Sequence, residues 1–329
     1  MKFMRDLKDR FLSRGDGPLP GFVLSAYGKL PIYKDYIQWE CRMGGAAQFR
    51  QWLDEAFGIR WPEFEDKNAP VRAPMRGLLL LPNGRHAVVA SIWPSSDEGG
   101  LRRFPFALFG AFGRGSVVGR GVHGALAAAE PLWRCFDREF EALGACGDIS
   151  AVYSYLQKSG SEVCEGLDLN GAAQVLDVSQ WFESLDPEDP VGYRLQVERN
   201  LRQMLAAYRG YPEQGESLAV RLPLCSRYSL GLQVEAWARA ISENLEKCPV
   251  FPSMVIEPPA VQRPGGSVCL VWREIKPEDA RLFAPDPGAY DFIEDPVPSA
   301  SAQPDRAAET VEAVEDLEQW LARLKPEPS

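Results

Sequence analysis

The imidazole chemistry open to this chain rests on two histidines, His86 and His123. A Ser-His-Asp hydrolase needs a base beside its nucleophile. His86 falls in an expected strand, His123 near an expected helix start, and no G-x-S-x-G elbow occurs, so both read as structural. Seven cysteines, at 41, 135, 146, 164, 225, 248 and 269, form no CxxC pair, and with two histidines they do not suggest a zinc cluster. Thiols scattered in this way read as buried or reduced, which favours the cytoplasm. The glycine-rich run GAFGRGSVVGRG (110–121) contains no G-x-x-x-x-G-K-[ST], its spacing is not expected to give G-x-G-x-x-G either, and it reads as a flexible surface connection between a strand and a helix. Asp97 with Glu98, and Asp186 with Glu188 and Asp189, sit in turn-like segments flanked by proline or glycine, where solvated loops account for them. No catalytic residue, metal site or cofactor is expected.

The elements that would carry these residues alternate. GFVLSAYGKLP begins as a strand and ends in a Gly28–Pro31 turn. Residues 44–57 place Phe49, Trp52, Leu53, Ala56 and Phe57 on one helical face. Two apolar runs, 77–81 and 86–93, flank Asn83-Gly84 and predict a hairpin; their unbroken apolarity predicts cover on both faces. FPFALFGAF (104–112) reads as a buried strand, and 124–143 as a helix that starts or kinks at Pro131. A shorter helix near 149–158 follows. Beyond it come a strand at 172–179, a helix at 191–209, a strand at 217–224, a helical stripe from Leu230 to Leu245, and closing strands in MVIEPP and SVCLVWREI. The class expected is α/β: a three-layer α/β/α sandwich with a mixed sheet.

The ends differ from the body. Residues 1–20 carry Phe3, Met4, Leu7, Phe11 and Leu12 at helical spacing among basic residues, an amphipathic helix that docks on its own domain or meets a membrane surface or partner. This segment is no secretory signal, and no run is long enough for an integral membrane segment. The body is taken as one domain, 21–283. Residues 284–308 are rich in Pro and Ala and read as a disordered linker. Residues 309–325 read as an acidic amphipathic helix with Val311, Val314, Leu317, Leu321 and Leu324 in one stripe, Trp320 near its edge, and Thr310 as a cap. Residues 284–329 hold 11 acids and 3 bases, so of the chain's net charge of −10 only −2 belongs to the rest. That balance disfavours nucleic-acid binding. The tail helix either folds back or docks in a partner's basic groove.

Two clusters mix aromatics, bases and prolines at fixed turns. The first is Tyr27-Gly28-Lys29-Leu30-Pro31 with Asp35-Tyr36. The second is Trp93-Pro94-Ser95-Ser96-Asp97 with Arg102-Arg103-Phe104-Pro105-Phe106. Two readings stand side by side: an internal staple in which Arg103 pairs with Asp35 or Asp97, and a partner-binding surface built from Tyr27, Gly28, Lys29, Leu30, Pro31, Asp35, Trp93, Ser96, Asp97, Arg103, Phe104 and Pro105.

AYGKLPIYKDYI (26–37) and PSSDEGGLRRFPFAL (94–108), separated by a Trp-bearing helix and an apolar hairpin, resemble in order and spacing the two signatures of the TagF (ImpM) family of bacterial type VI secretion. The resemblance covers 20–112. Lys34 stands where the family has glycine, Tyr36 where it has phenylalanine, and an extra residue before Phe104 aligns Arg103 rather than Arg102 with the family arginine. The resemblance implies a cytoplasmic regulator that restrains type VI assembly or firing by protein–protein interaction, with the forkhead-associated scaffold protein as the suspected partner. The alternatives are an adaptor that docks through its C-terminal helix and an unrecognised enzyme.

Overall fold

The computed structural model describes residues 19, 22–58, 74–82, 84–162, 175–208, 218–245, 251–259, 265–283, 293–294, 296 and 316–324. The amphipathic segment expected over the first 18 residues, most of the 284–308 linker, Asn83, Thr310, Val311 and Val314 lie outside them. The chain divides into two compact units: unit 1 is Met1–Gly171 with Glu274–Pro287, and unit 2 is Ala172–Arg273 with Gly288–Ser329. The span 21–283 thus contributes to both.

Unit 1 contains β1 (Ser25–Gly28), β2 (Ile37–Trp39), α1 (Gly44–Phe57), β3 (Met75–Leu80), β4 (His86–Trp93), β5 (Phe106–Gly113), α2 (Arg114–Val118), α3 (Gly121–Gly144) and α4 (Ile149–Glu162). Its strands lie in the order β2-β1-β5-β4-β3, and every pair is antiparallel. A mixed sheet was expected from the alternation of strands and helices. It does not form here because β3, β4 and β5 follow one another without a helical crossover, the connection that parallel strands need.

Side chains alternate across a strand, and β5 uses both faces. Phe109 meets Phe49 of α1 with ring centroids 4.8 Å apart, while Phe106 lies 6.0 Å from Phe140 of α3. Cover on both sides is why β3, β4 and β5 read as unbroken apolar runs. The face expected for α1 is the buried one: Phe49, Trp52, Leu53, Ala56 and Phe57. A 3-10 turn, Pro277–Phe283, closes over it, with the Trp52 indole donating to the Lys276 carbonyl at 2.8 Å. The β3–β4 hairpin closes where the Leu81 N–H donates to the His86 carbonyl at 3.0 Å, and Gly84 takes φ +70°. Helix α3 runs through Pro131, which is buried inside it rather than marking a start.

The glycine-rich run is not a flexible connection. Its residues finish β5, form α2 and open α3, and Gly110 leaves room for the Phe22 ring. One residue pattern was missed at its end: Gly119, Gly121 and Gly124 do complete a G-x-G-x-x-G. It follows helix α2, whereas a dinucleotide fingerprint needs the turn directly after a strand.

Unit 2 contains α5 (Val178–Leu185), α6 (Pro190–Ala207), β6 (Ala219–Pro223), α7 (Leu230–Ser242), β7 (Ser253–Glu257), β8 (Ser267–Val271), β9 (Ile293–Glu294) and α8 (Leu317–Leu324). Its strands lie in the order β7-β8-β6-β9, antiparallel except for the two-residue β9 beside β6. Of the strand expected at 172–179, residues 175–179 are instead the entry to α5, and 172–174 lie outside the described residues. Asp177 caps that helix by accepting the Gln180 N–H at 3.0 Å, and Val175, whose apolarity had suggested a strand, is exposed. Asp189 caps α6 in the same way, and Asp186 accepts the N–H groups of Glu188 and Asp189.

Tryptophans centre the unit 2 core. Trp181 and Trp237 lie 4.5 Å apart, and Trp320 of α8 stands edge-on to both, at 5.8 and 5.6 Å. Burying an indole costs less when its N–H finds an acceptor. Trp181 donates to Gln233 at 3.2 Å, Trp237 to the Pro223 carbonyl at 3.0 Å and Trp320 to Glu198 at 3.0 Å.

Candidate functional site

The two sequence clusters meet in unit 1 at the end of β1. Strand β1 pairs with β5 so that Gly28 stands opposite Phe106. A Cβ on Gly28 would lie 2.0 Å from the Pro105 carbonyl oxygen, and its φ of +133° is a conformation that side chains disfavour. Glycine is therefore required here by the approach of the second cluster, besides any need of the following turn.

Around this contact the aromatics form one group. The Tyr27 and Tyr36 rings stack at 5.5 Å, and Phe104 packs edge-on against them at 5.7 and 4.9 Å. The Tyr27 hydroxyl donates to Asp54 of α1. Burial, and then this bond to a carboxylate, raise the Tyr27 phenol well above its ordinary pKa. Lys29, only 1% exposed, places Nζ 4.5 Å from the centre of the Tyr36 ring and donates to the Lys34 carbonyl at 3.2 Å. Its pKa is lowered, chiefly by burial and then by Arg102.

The second cluster is a loop closed on itself. Phe104 donates to the Ser95 carbonyl at 3.2 Å, Ser96 and Arg103 form a bridge, and the Asp97 N–H donates to the Arg102 carbonyl at 3.0 Å. The Asp97 side chain, buried rather than solvated as expected, accepts the N–H groups of Leu101 at 3.0 Å and Arg102 at 3.2 Å. It also accepts Nε of Arg102 at 2.8 Å. The Arg102 side chain and then its backbone amide hold the Asp97 carboxyl below its usual range. Arg102 reaches on to the Lys34 carbonyl at 2.6 Å, the same oxygen that Lys29 uses, and Glu98 N–H donates to the Tyr33 carbonyl at 3.2 Å. The staple is thus made by Arg102. In the staple reading Arg103 was to pair with Asp35 or Asp97; its neighbour Arg102 makes the pair with Asp97 instead.

Of the residues named from sequence, Tyr27, Gly28, Lys29, Leu30, Asp97, Phe104 and Pro105 come together and are buried, with Ser96 and Arg103 half-buried beside them. Their contacts are internal. Pro31 and Asp35 are exposed. Trp93 is not part of the group: it stacks on Phe140 of α3 at 4.2 Å, on the opposite face of the sheet. What solvent meets at this corner is Pro31, Lys34, Asp35, Glu98, Arg102 and Leu101, the last 88% exposed. Leu101 went unnoticed in the sequence, although a leucine between two glycines and two arginines is a usable signal for a loop tip.

Among the described residues no group of three His, Cys, Asp or Glu could hold a metal ion, and no helix is long and apolar enough to cross a membrane. His86 Nδ1 lies 3.3 Å from the Gln48 side-chain oxygen. Cys41, Cys135, Cys225 and Cys269 are buried and form no disulfide with a described residue; Cys164 and Cys248 lie outside the described residues. In the tail, Trp320, Leu321 and Leu324 are buried and Leu317 is half-buried. Trp320, expected near the stripe's edge, is its centre. Helix α8 starts from Asp316, which accepts the Gln319 N–H at 2.9 Å while the Gln319 side chain accepts the Asp316 N–H at 3.1 Å, a reciprocal cap.

No protein-family model matches the chain, and no curated protein does. Among solved structures, the crystal structure of PA0076 from Pseudomonas aeruginosa PAO1 is a distant likeness of fold, 16% identical with a TM-score of 0.32. The match covers 47% of this chain and 66% of that one, so the chain spans just under two thirds of that structure.

Proposed function

We propose that this chain is an accessory protein of a bacterial type VI secretion system that restrains assembly or firing by binding another component. The reading takes in a cytoplasmic location, a three-layer α/β/α arrangement and no catalytic step of its own. Its support is the resemblance of residues 26–37 and 94–108 to the TagF (ImpM) signatures. The observation that carries it is the build of the corner where those segments meet. A large apolar side chain, Leu101, is held out in solvent by a loop whose backbone is fixed by a buried carboxylate, Asp97. Exposing leucine on an ordered loop has no folding benefit, whereas a preorganised apolar anchor lowers the ordering cost of association. Lys34, Asp35, Glu98 and Arg102 would form the polar rim, and the buried residues hold the rim in place.

The suspected partner is the forkhead-associated scaffold protein, with sheath–baseplate components next. The test is capture of these proteins by the tagged chain and by its Leu101→Asp variant, with secretion measured in a deletion strain and an overexpressor. The reading expects capture by the native chain, loss of capture in the variant at unchanged stability, and increased secretion in the deletion strain. Secretion that is unchanged in both strains would refute it.

A further inference from the structure

We infer that the face of unit 2 formed by α5, α6 and α7 is a helix-binding groove, and that α8 occupies it as an exchangeable intramolecular ligand. The argument is independent of the corner in unit 1. Helix α8 is eight residues long, and an isolated helix of that length is unstable in water. Its order comes from what it docks against. Trp320, 0% exposed, enters a pocket of Trp181, Phe182 and Trp237, with Leu321 and Leu324 buried beside it. An aromatic anchor flanked by aliphatic residues one and four positions on is how a helix fills a groove made by another protein.

The groove offers an ion-pairing partner to each end of the helix, Arg239 (also paired with Glu243) at its start and Glu198 (also paired with Arg194) at its end. At the start of α8, Arg239 of α7 grips both carboxylate oxygens of Glu318, at 2.7 and 3.0 Å. At its end the buried Glu198 of α6 accepts Arg323 at 2.8 Å and the Trp320 indole at 3.0 Å, and Arg202 donates to the Arg323 carbonyl at 3.3 Å. An acid in the first turn and an arginine in the last also suit the helix dipole, so the groove fixes direction as well as register. Among the described residues α8 meets the body mainly through side chains, its backbone contributing the Arg323 carbonyl that Arg202 reaches and a bridge between Asp177 and Asp316. Side-chain docking of this kind can be reproduced in trans by a helix of the same pattern: acid, Trp-Leu, Arg, Leu.

The probe is a fluorescein-labelled peptide of residues 309–329, and the protein is the full chain. Glu318→Arg sets the native tail against Arg239. The pair is partly exposed, so its loss should loosen α8 without unfolding unit 2. The variant is expected to keep its cooperative unfolding and to bind the peptide about tenfold more tightly than the native chain, whose groove is filled. Adding Arg239→Glu restores the pairing in cis with reversed charge and should abolish peptide binding. A protease site placed between 297 and 315 gives a second reading that leaves α8 unaltered: after cleavage the tail fragment should exchange with labelled peptide. A Glu318→Arg chain that unfolds, a folded one that binds no more tightly than the native chain, or a cleaved fragment that never exchanges would each overturn the inference and make α8 a fixed part of the core.

Discussion

Pro105 approaches Gly28 closely where the two sequence clusters meet, and Gly28→Ala tests whether that approach organises the corner. Two costs apply. The backbone at φ +133° disfavours any side chain, by roughly 1–2 kcal/mol. The new methyl would lie 2.0 Å from the Pro105 oxygen and 2.8 Å from the Phe106 Cα, backbone atoms at the entry to the paired strand β5, and relieving such overpacking costs about 1–3 kcal/mol more. The expected loss is therefore about 3 kcal/mol, or roughly 6–12 °C in Tm for a body of 150–250 residues. Gly100→Ala is the internal control. Its φ is +66°, but nothing lies within 4 Å of the added methyl, so about 1 kcal/mol is expected. Denaturant unfolding of both variants, with unchanged slopes, separates conformational strain from steric clash. If Gly28→Ala is no more destabilising than Gly100→Ala, the steric argument fails, and with it the claim that the second cluster dictates the glycine of the first.

Three further outcomes follow from the same corner. The raised Tyr27 phenol means that, as pH climbs through about 10, the unfolded chain releases a proton that the folded chain keeps. Stability must then fall, and the fall should be shallower in Tyr27→Phe when unfolding is measured from pH 8 to 11. Asp97 has the opposite sign. Its carboxyl is held low, so its contribution is present above the ordinary carboxylate range and disappears as pH drops through the folded value. Protection of the Leu101 and Arg102 amides against hydrogen exchange, relative to the intrinsic rate at each pH, should fall there, and should already be low at neutral pH in Asp97→Asn. Trp93→Ala should cost about 3–5 kcal/mol through its lost packing on Phe140 yet leave capture by the Leu101 corner unchanged in the folded fraction. A matching loss of capture would place Trp93 in the interface after all.

Much of the architecture was legible because periodicity reports burial directly. The α1 face, the β3–β4 hairpin and the α7 stripe needed only the spacing of their apolar residues. The clusters were legible as clusters for a different reason: tyrosine, lysine, arginine and proline at fixed turns are costly to place without partners. Their burial was not legible. Lys29 is a residue type expected at a surface, and what it meets in the interior is the Tyr36 ring and the carbonyl of Lys34, an oxygen that it shares with Arg102, 68 residues from Lys34. The choice between Arg102 and Arg103 turned on loop closure. The isolated Ser96–Arg103 bridge pairs the backbone there and leaves Arg102 beside Asp97, a fact of loop closure that the spacing of residue types cannot contain. Trp320 gives the same lesson. Its stripe was readable, but its place at the centre depends on a pocket assembled from Trp181, Phe182 and Trp237, far away in sequence. A motif read from residues says which side chains need partners, whereas the fold decides which of them are satisfied internally and which, like Leu101, are left facing outward.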